Sequence, residues 1–335
     1  MLVVSGSATS WVQDKLVNNH GGLYGRLTCQ VKLAPFTLNE CEQFFRMKKI
    51  RMSRYDIVQC YMILGGIPYY LDLFEQGLSL SQNIDNLFFA AQPKLWDEYN
   101  RLFASVFSNP DAIKSIVNLL GKRHSGFTRQ EIVRLLGVDD CGSLSDKLNA
   151  LIASDFVERY VPFGDKGKDV RYKLTDPFCL FFQRFVQDRK SMDEQFWSHG
   201  QTSQSIISWR GIAFEELCMR HIRQIKHALS IEGVISTQSP WAIRGDDEAD
   251  GTQIDLIINR KDNVVNLCEM KFCSQEFSVD KEYDRKMSFR ESLLSNHLSR
   301  KSVIHNTLVT TYGLKYNEYG GIFQQVVVMD DLFKE

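Results

Sequence analysis

The chain has 335 residues, of which 44% are hydrophobic and 24% are charged, and this size allows two or three domains with proper cores. The formal net charge of −1 excludes a strongly cationic nucleic-acid binder, so any DNA contact must come from a local patch. Eight scattered cysteines without a C-x-x-C pair, and no apolar run of membrane-spanning length, predict a cytoplasmic protein with no membrane association.

The first recognisable element is the apolar run Met1 to Val4, which enters a Gly/Ser/Thr turn and predicts a buried strand of the parallel type. A buried strand needs a neighbour on each side, so the rest of its sheet is expected from outside these residues. Three short segments follow: a Gly-Arg turn at 25–26, a Pro-Phe segment at 35–36 and a GG-x-P-x-Y-L run at 65–71.

Residues 111–176 have the pattern of three helices followed by a β-hairpin. A helix spans Ile113 to Leu120, Thr128 opens a second helix with a Thr-Arg-Gln-Glu capping box, and a third helix follows Ser143. Two β-rich runs at 156–162 and 170–174 flank a Gly164 to Gly167 tip. This order predicts a winged helix-turn-helix.

The basic side chains of the third helix and the wing are candidate contacts to DNA phosphates. They are Lys147, Lys166, Lys168, Arg171 and Lys173. The third helix also carries Asp146 and Asn149, so the alternative is a packing role that couples the flanking domains. An aromatic helix, with Phe at 178, 181, 182 and 185, follows and predicts core packing.

A further helix begins near residue 209. Apolar residues from Phe214 to Leu229 recur at three- and four-residue steps, which indicates one buried stripe. Glu215 lies beside this stripe and is a candidate site carboxylate, although it is equally well explained as a flanking side chain that reaches water. Glu216 groups with Arg220 and Arg223 and is expected on the outside.

The segment 253–272 holds the most informative pattern of the chain. Two β-rich runs are separated by a polar turn at 261–263, which predicts a hairpin. Because side chains alternate along a strand, Glu269 and Lys271 share a face with Val265 and Leu267. Asp255 precedes Glu269 by fourteen residues (269 − 255), so the hairpin can fold the two carboxylates together.

Charged groups in such an apolar run lose several kcal/mol of hydration unless each finds a partner or a metal. One interpretation is a salt-bridged edge strand on a wet face. The other is a site for metal-dependent phosphodiester hydrolysis, in which Asp255 and Glu269 bind Mg²⁺ and Lys271 offsets developing charge.

With Glu215 on the first helix, Asp255 on the second core strand and the tripeptide Glu269-Met270-Lys271 on the third, residues 209–332 resemble the restriction-endonuclease-like PD-(D/E)xK superfamily. Ile254 stands where the eponymous proline would be. The expected helix at 279–300 and strands at 307–311 and 323–329 fit the same pattern. The resemblance implies an α/β domain with a central mixed sheet, a Mg²⁺ cofactor and a DNA substrate, with Glu215 completing the site.

The strand, Gly-Arg turn, Pro-Phe segment and GG-x-P-x-Y-L run together resemble the later half of the archaeal-type, STAND-like AAA ATPase module. In that family a winged helix and a domain of unknown function follow the ATPase module. The winged-helix pattern and the nuclease-like pattern occur in the same order in this chain. No G-x-x-x-x-G-K-[ST] occurs in the 335 residues, so ATP binding by this chain alone is not expected.

The sequence therefore predicts a multi-domain α/β and α+β protein. Residues 1–105 are expected to form the remnant of an AAA module with its helical lid, 106–176 the winged helix, and 177–335 the nuclease-like domain. Three functions stay open: a Mg²⁺-dependent DNA endonuclease, a non-catalytic regulatory or interaction protein with a degenerate nuclease fold, and a fragment of a complete ATPase. The expected partners are DNA and an N-terminal ATPase half or a second copy of the chain.

Overall fold

The computed structural model describes residues 28, 29, 31–165, 167, 169–189, 191–243 and 252–335. The expected strand at Met1 to Val4 and the Gly-Arg turn at 25–26 lie outside these residues. Within the described ranges no helix has the length and apolar character needed to cross a lipid bilayer.

The regular elements make a mixed α/β structure. The α-helices are α1 (Leu38–Met47), α2 (Arg54–Leu64), α3 (Pro68–Asp72), α4 (Leu80–Phe88), α5 (Glu98–Val106), α6 (Pro110–Leu120), α7 (Arg129–Leu136), α8 (Gly142–Ala153), α9 (Pro177–Phe185), α10 (Phe196–His199), α11 (Gln204–Arg220), α12 (Ile222–Ala228) and α13 (Lys281–Ser295). The strands are β1 (Phe127–Thr128), β2 (Val157–Tyr160), β3 (Arg171–Leu174), β4 (Ser236–Ile243), β5 (Thr252–Arg260), β6 (Val264–Lys271), β7 (Val303–Thr310) and β8 (Gln325–Val328).

These elements form two compact units. Counting only the described residues, the first comprises those within Met1–Pro35, Ser81–Tyr160 and Val170–His199, and the second comprises those within Phe36–Leu80, Val161–Asp169 and Gly200–Glu335. Both therefore draw on segments that are distant in the sequence. The expected domain boundaries at 105/106 and 176/177 stay predictions.

The core of the first unit is aromatic. Helix α9 buries the four phenylalanines of its stripe, as the sequence predicts. Phe181 packs against Phe88 and Trp197 with ring centroids 4.9 and 5.1 Å apart, and Tyr99 stacks on Phe182 at 4.8 Å. Tilted and offset ring pairs of this kind contribute about 0.5–1.5 kcal/mol each beyond area burial. This packing places α9 in the same unit as α4 and α5.

The three helices and the hairpin predicted for residues 111–176 are present as α6, α7, α8 and the antiparallel pair β2–β3. The capping box of α7 forms: Glu131 N donates to Thr128 Oγ1 at 3.3 Å, and Thr128 N donates to Glu131 Oε2 at 2.8 Å. Strand β1, which the sequence pattern did not predict, pairs with β3 and gives the strand order β1-β3-β2. The hairpin therefore belongs to a three-stranded antiparallel sheet.

The second unit is built on a five-stranded sheet with the order β4-β5-β6-β7-β8. Strand β5 is antiparallel to both of its neighbours, β4 and β6, whereas β6, β7 and β8 run parallel. The β5–β6 turn lies at residues 261–263 and Asn263 has a φ of 66°, so the predicted hairpin is confirmed. The sheet is thus mixed, with its central strand β6 carrying Glu269 and Lys271.

The two faces of this sheet are covered by different helices. Val265 and Leu267 of β6 pack with Met287 and Leu294 of α13. On the opposite face, Phe272 follows β6 and packs against Phe214 of α11. The side-chain alternation predicted for β6 is therefore confirmed, and Glu269 and Lys271 point toward the α13 side.

Helices α1 and α2 contact His221, the residue that directly follows α11. Its Nε2 accepts the Leu38 N–H at 3.2 Å, its Nδ1 lies 2.9 Å from the Leu217 carbonyl oxygen, and the Tyr61 ring lies edge-on at 5.0 Å. Burial lowers the pKa of His221 to about 4, so the ring is neutral and can accept and donate at once. These contacts place residues 36–80 in the unit of the C-terminal sheet.

Candidate functional site

Strand β5 carries a β-bulge at the position of Asp255. Ser239 of β4 pairs with Ile257 of β5, and Trp241 of β4 pairs with Ile254 of β5. The step between these pairs is two residues on β4 but three residues on β5. One extra residue of β5 therefore lies between these pairs. Bulges bend a strand and re-aim a side chain, and they are frequent next to active sites.

The Asp255 side chain lies against β6. The regular β5–β6 pairing runs from Asn259–Val265 to Leu256–Cys268, and beyond it Asp255 Oδ2 accepts the backbone N–H of Met270 at 2.9 Å. The carboxylate thus lies beside the segment that links Glu269 to Lys271. Asp255 and Glu269 come together as the fourteen-residue spacing predicts.

Lys271 joins the two carboxylates. Its Nζ lies 3.2 Å from Glu269 Oε2 and 3.9 Å from Asp255 Oδ2. Burial lowers the pKa of Lys271, but the neighbouring charges of Glu269 and Asp255 outweigh burial, and the net shift is upward. Lys271 is therefore a cation at neutral pH and can offset negative charge, whereas it is a poor proton acceptor.

Glu269 is held by two further side chains from α13. Arg290 Nη1 donates to Glu269 Oε1, and Tyr283 Oη donates to Glu269 Oε2 at 2.9 Å. The side chains of Glu269 and Arg290 are 1% and 8% exposed, so this is a buried ion pair. Arg290 Nε also donates to Thr252 Oγ1 at 3.1 Å, which ties the pair to the start of β5.

The sequence interpretation did not include Tyr283 and Arg290. A signal was available, because Tyr283, Met287, Arg290 and Leu294 recur at steps of four, three and four residues and form one face of a helix. A tyrosine and an arginine within an otherwise apolar stripe indicate a buried polar partner. That partner is Glu269.

Asp255 is under electrostatic strain. Burial, followed by the charges of Glu269 and Glu215, raises the pKa of Asp255 to about 7, although Lys271 and the Met270 N–H oppose the shift. A folded protein keeps such a carboxyl only at a cost in stability, which a bound cation would remove. The carboxyl is 10% exposed at its side chain, so solvent relieves little of this strain.

Glu215 is half-buried on α11, and it acts on Asp255 and Lys271 through its charge. This is consistent with its predicted position beside the buried stripe. The expectation for its neighbour is wrong: Glu216 is 4% exposed and faces the interior. The reason is that residues 36–80 cover the side of α11 that an isolated amphipathic helix would leave to solvent, as the His221 contacts show.

The donor set constrains any metal site. Among the described residues, no group of three or more His, Cys, Asp or Glu side chains is placed to hold a metal ion. An all-protein metal cage is therefore not formed in that part of the chain. Mg²⁺, however, commonly binds through one or two carboxylates together with water and substrate phosphates, and Asp255 and Glu269 match that smaller donor set.

The comparisons with known proteins give distant similarities. No protein-family model matches the sequence. An uncharacterized protein of Methanocaldococcus jannaschii is 24% identical over 275 residues, which are 81% of this chain and 59% of that protein. The chain thus spans about three fifths of the length of this curated relative.

Two solved structures show weak likeness. A Walker-type ATPase of Pyrococcus abyssi has 17% identity and a TM-score of 0.37, covering 53% of this chain and 51% of that one. A protein of Vibrio cholerae has 11% identity and a TM-score of 0.27, covering 98% of this chain and 79% of that one. At these scores neither likeness assigns a function.

The predicted DNA contacts lie in different surroundings. Lys147 Nζ donates to Ser143 Oγ at 2.6 Å on the surface of α8, and Arg171 is half-buried on β3. Lys173 is 7% exposed, which leaves little of it to reach a phosphate, because its strand lies inside the three-stranded sheet. Lys166 and Lys168 lie outside the described residues.

Proposed function

We propose that the second unit hydrolyses phosphodiester bonds of DNA with the help of a divalent cation such as Mg²⁺. The supporting observation is the convergence of Asp255, Glu269 and Lys271 at the β5 bulge, with one ammonium group within 4 Å of both carboxylates. Idle charges at this depth would be costly. A cation-assisted reaction on a phosphate gives each of the three groups a chemical role.

In this proposal Asp255 and Glu269 hold the cation, which supplies Lewis-acid polarisation of a phosphoryl oxygen and a more acidic water. Lys271 remains protonated and offsets the negative charge that develops on the phosphate. Glu215 completes or orients the site through its charge. Tyr283 and Arg290 keep the Glu269 carboxylate in one orientation, since each donates to one of its oxygens.

The test is nicking of supercoiled plasmid with Mg²⁺, Mn²⁺ or EDTA. Asp255→Asn, Glu269→Gln and Lys271→Met are each expected to lower the rate by about 100-fold or more, the size found when one electrostatic stabiliser is removed. Lys261→Met and Asp262→Asn are matched controls, because both residues are exposed in the turn of the same hairpin. Cleavage that persists in purified Glu269→Gln protein would refute the assignment.

A second candidate function is favoured by the buried Arg290–Glu269 pair. Because Glu269 already has Arg290 on one oxygen and Tyr283 and Lys271 on the other, the same network can serve as a structural polar core. The protein would then be a non-catalytic regulatory or interaction protein with a nuclease-like fold. Absence of cleavage with every divalent ion, together with no Mg²⁺ binding by titration calorimetry, would support this alternative.

We further propose that residues 106–176 act as a winged helix that binds DNA or a protein partner. The order of α6, α7, α8 and the β2–β3 hairpin supports this proposal. An N-terminal ATPase half or a second copy of the chain is the proposed protein partner. A phosphate-binding loop in frame in the upstream genomic sequence would favour the third alternative, a fragment of a complete ATPase.

A further inference from the structure

Four aromatic rings form a column beside the candidate site. The order is Phe214 of α11, Phe272 after β6, Tyr55 of α2 and Tyr312 after β7. Phe272 stacks on Tyr55 with ring centroids 4.9 Å apart and an interplanar angle of 13°. Tyr55 stacks on Tyr312 with ring centroids 5.7 Å apart and an interplanar angle of 22°. Phe214 is fully buried, whereas Tyr312 is 44% exposed, so the column runs from the core to the surface.

The exposed end of the column is held in place by the sheet. Strands β6 and β7 are parallel, and Lys271 pairs with Thr310, so the residues that follow them leave the same edge of the sheet side by side. Thr310 Oγ1 donates to the Lys271 carbonyl oxygen at 2.9 Å, and Thr311 Oγ1 accepts the Cys273 N–H at 3.0 Å. These bonds hold together the two chain segments that carry Phe272 and Tyr312. The rings therefore form a preorganised platform.

The column and the candidate site share their backbone supports. Phe272 directly follows Lys271, and Phe214 directly precedes Glu215. Each of these two rings is thus the chain neighbour of one site residue. Lys271 and the segment that carries Tyr312 follow paired positions at the same edge of the sheet, since Lys271 pairs with Thr310.

The charge around Tyr312 indicates which part of a nucleotide it would meet. Partial burial, and then the charges of Asp56 and Asp330, raise the pKa of the Tyr312 phenol. These carboxylates disfavour a phosphate close to the ring. A nucleobase is uncharged and has a π-face, and base–aromatic stacking tolerates any base.

We propose that the exposed face of Tyr312 is a stacking subsite for an unpaired nucleobase, so that the second unit binds a single-stranded or locally opened nucleic acid. This inference rests on the proposed function, since it names the form of the substrate. Tyr312 is the last ring of the stack that begins with Phe272 and Tyr55. A bound nucleobase would add one further ring to this stack.

The test uses a single-stranded oligodeoxythymidine that contains one 2-aminopurine, whose fluorescence is quenched by stacking, in EDTA to prevent cleavage. The wild-type protein is expected to quench and to bind the single strand in preference to the duplex. Tyr312→Ala should abolish the quench and weaken binding by about 5- to 150-fold, the range for one base–aromatic contact. Tyr312→Phe should behave as wild type, because it retains the ring.

Two further variants separate stacking from folding. Tyr316→Ala removes a fully exposed tyrosine four residues further along and should leave both signals unchanged. Tyr312→Leu keeps an apolar side chain against Tyr55 but has no π-face, so it should lose the quench while it retains the thermal midpoint. Wild-type quenching by Tyr312→Leu, or a failure of the wild-type protein to bind single strands, would overturn the subsite. Metal-dependent plasmid nicking would be untouched by either result, so the two proposals can fail separately.

Discussion

Replacement of Asp255 by asparagine should stabilise the protein while it removes the candidate site. The pKa of the Asp255 carboxyl is about 7 in the folded chain against 3.8 for an unperturbed aspartate. Because the unfolded chain releases this proton at lower pH, the contribution of the Asp255 carboxyl to folding stability is fully present below about pH 3.8 and is lost as the pH rises through 7. The Asp255→Asn protein has no such loss.

The magnitude follows from the same shift. Each pKa unit corresponds to about 1.4 kcal/mol, so the full difference is at most about 4 kcal/mol at pH 8. Asparagine keeps an oxygen that accepts the Met270 N–H, but it loses the attraction to Lys271. The expected gain in unfolding free energy of Asp255→Asn at pH 8 is therefore about half of the maximum, roughly 2 kcal/mol.

Urea unfolding with EDTA at pH 8 and at pH 5 measures this difference. Asp255→Asn should raise the free energy of unfolding at pH 8, and the gain should shrink toward pH 5. Asp262→Asn is the matched control, since Asp262 is an exposed aspartate of the same hairpin and its pKa is lowered by a hydrogen bond from Arg260. A destabilised Asp255→Asn protein at pH 8 would refute the reasoning that like charges and burial strain this carboxyl.

Three further predictions concern the supporting structure. Between pH 7.5 and 5 the unfolding free energy of the wild-type protein should fall by about 2 kcal/mol relative to that of His221→Gln, because the depressed pKa of His221 makes protonation favour the unfolded chain. Arg290→Met should destabilise by about 3–5 kcal/mol, because Glu269 is left as a buried carboxylate that lacks its guanidinium, and adding Glu269→Gln should restore part of the loss. Thr128→Ala should cost about 1 kcal/mol by removing the N-cap that pairs with Glu131, whereas Thr128→Ser should not.

Urea titrations at several pH values check the first of these, and unchanged acid sensitivity in His221→Gln would contradict it. A double-mutant cycle checks the second, and additive effects of the two substitutions would show that Arg290 and Glu269 are not coupled. Thermal denaturation followed by circular dichroism checks the third. Equal midpoints for the alanine and serine variants would contradict it.

Local patterns identified most of the elements near the site. Alternation along 264–271 predicted which side chains of β6 share a face, and the polar turn at 261–263 predicted the hairpin, because both depend only on neighbouring residues. The capping box at Thr128 located the start of α7 to the residue for the same reason. The helix predicted at 279–300 spans only Lys281–Ser295 in the structure. The Asp280 side chain caps its first turn and fixes its start, whereas no side-chain signal of this kind marks its end.

Long-range packing decided the rest. The bulge that turns Asp255 toward Met270 arises from the β4–β5 register, and the partners of Glu269 come from a helix that begins twelve residues later, so neither is written in the local periodicity. The burial of Glu216 and the grouping of residues 36–80 with the C-terminal sheet likewise depend on which surfaces meet in space. The sequence by itself therefore determined the β5–β6 hairpin, the helices and hairpin of residues 111–176, and the candidate carboxylates and lysine of this protein, because those follow from residue spacing. Only the tertiary structure decided which charges neutralise one another and which aromatic rings stack, because pairing energies depend on distances between segments far apart in the chain.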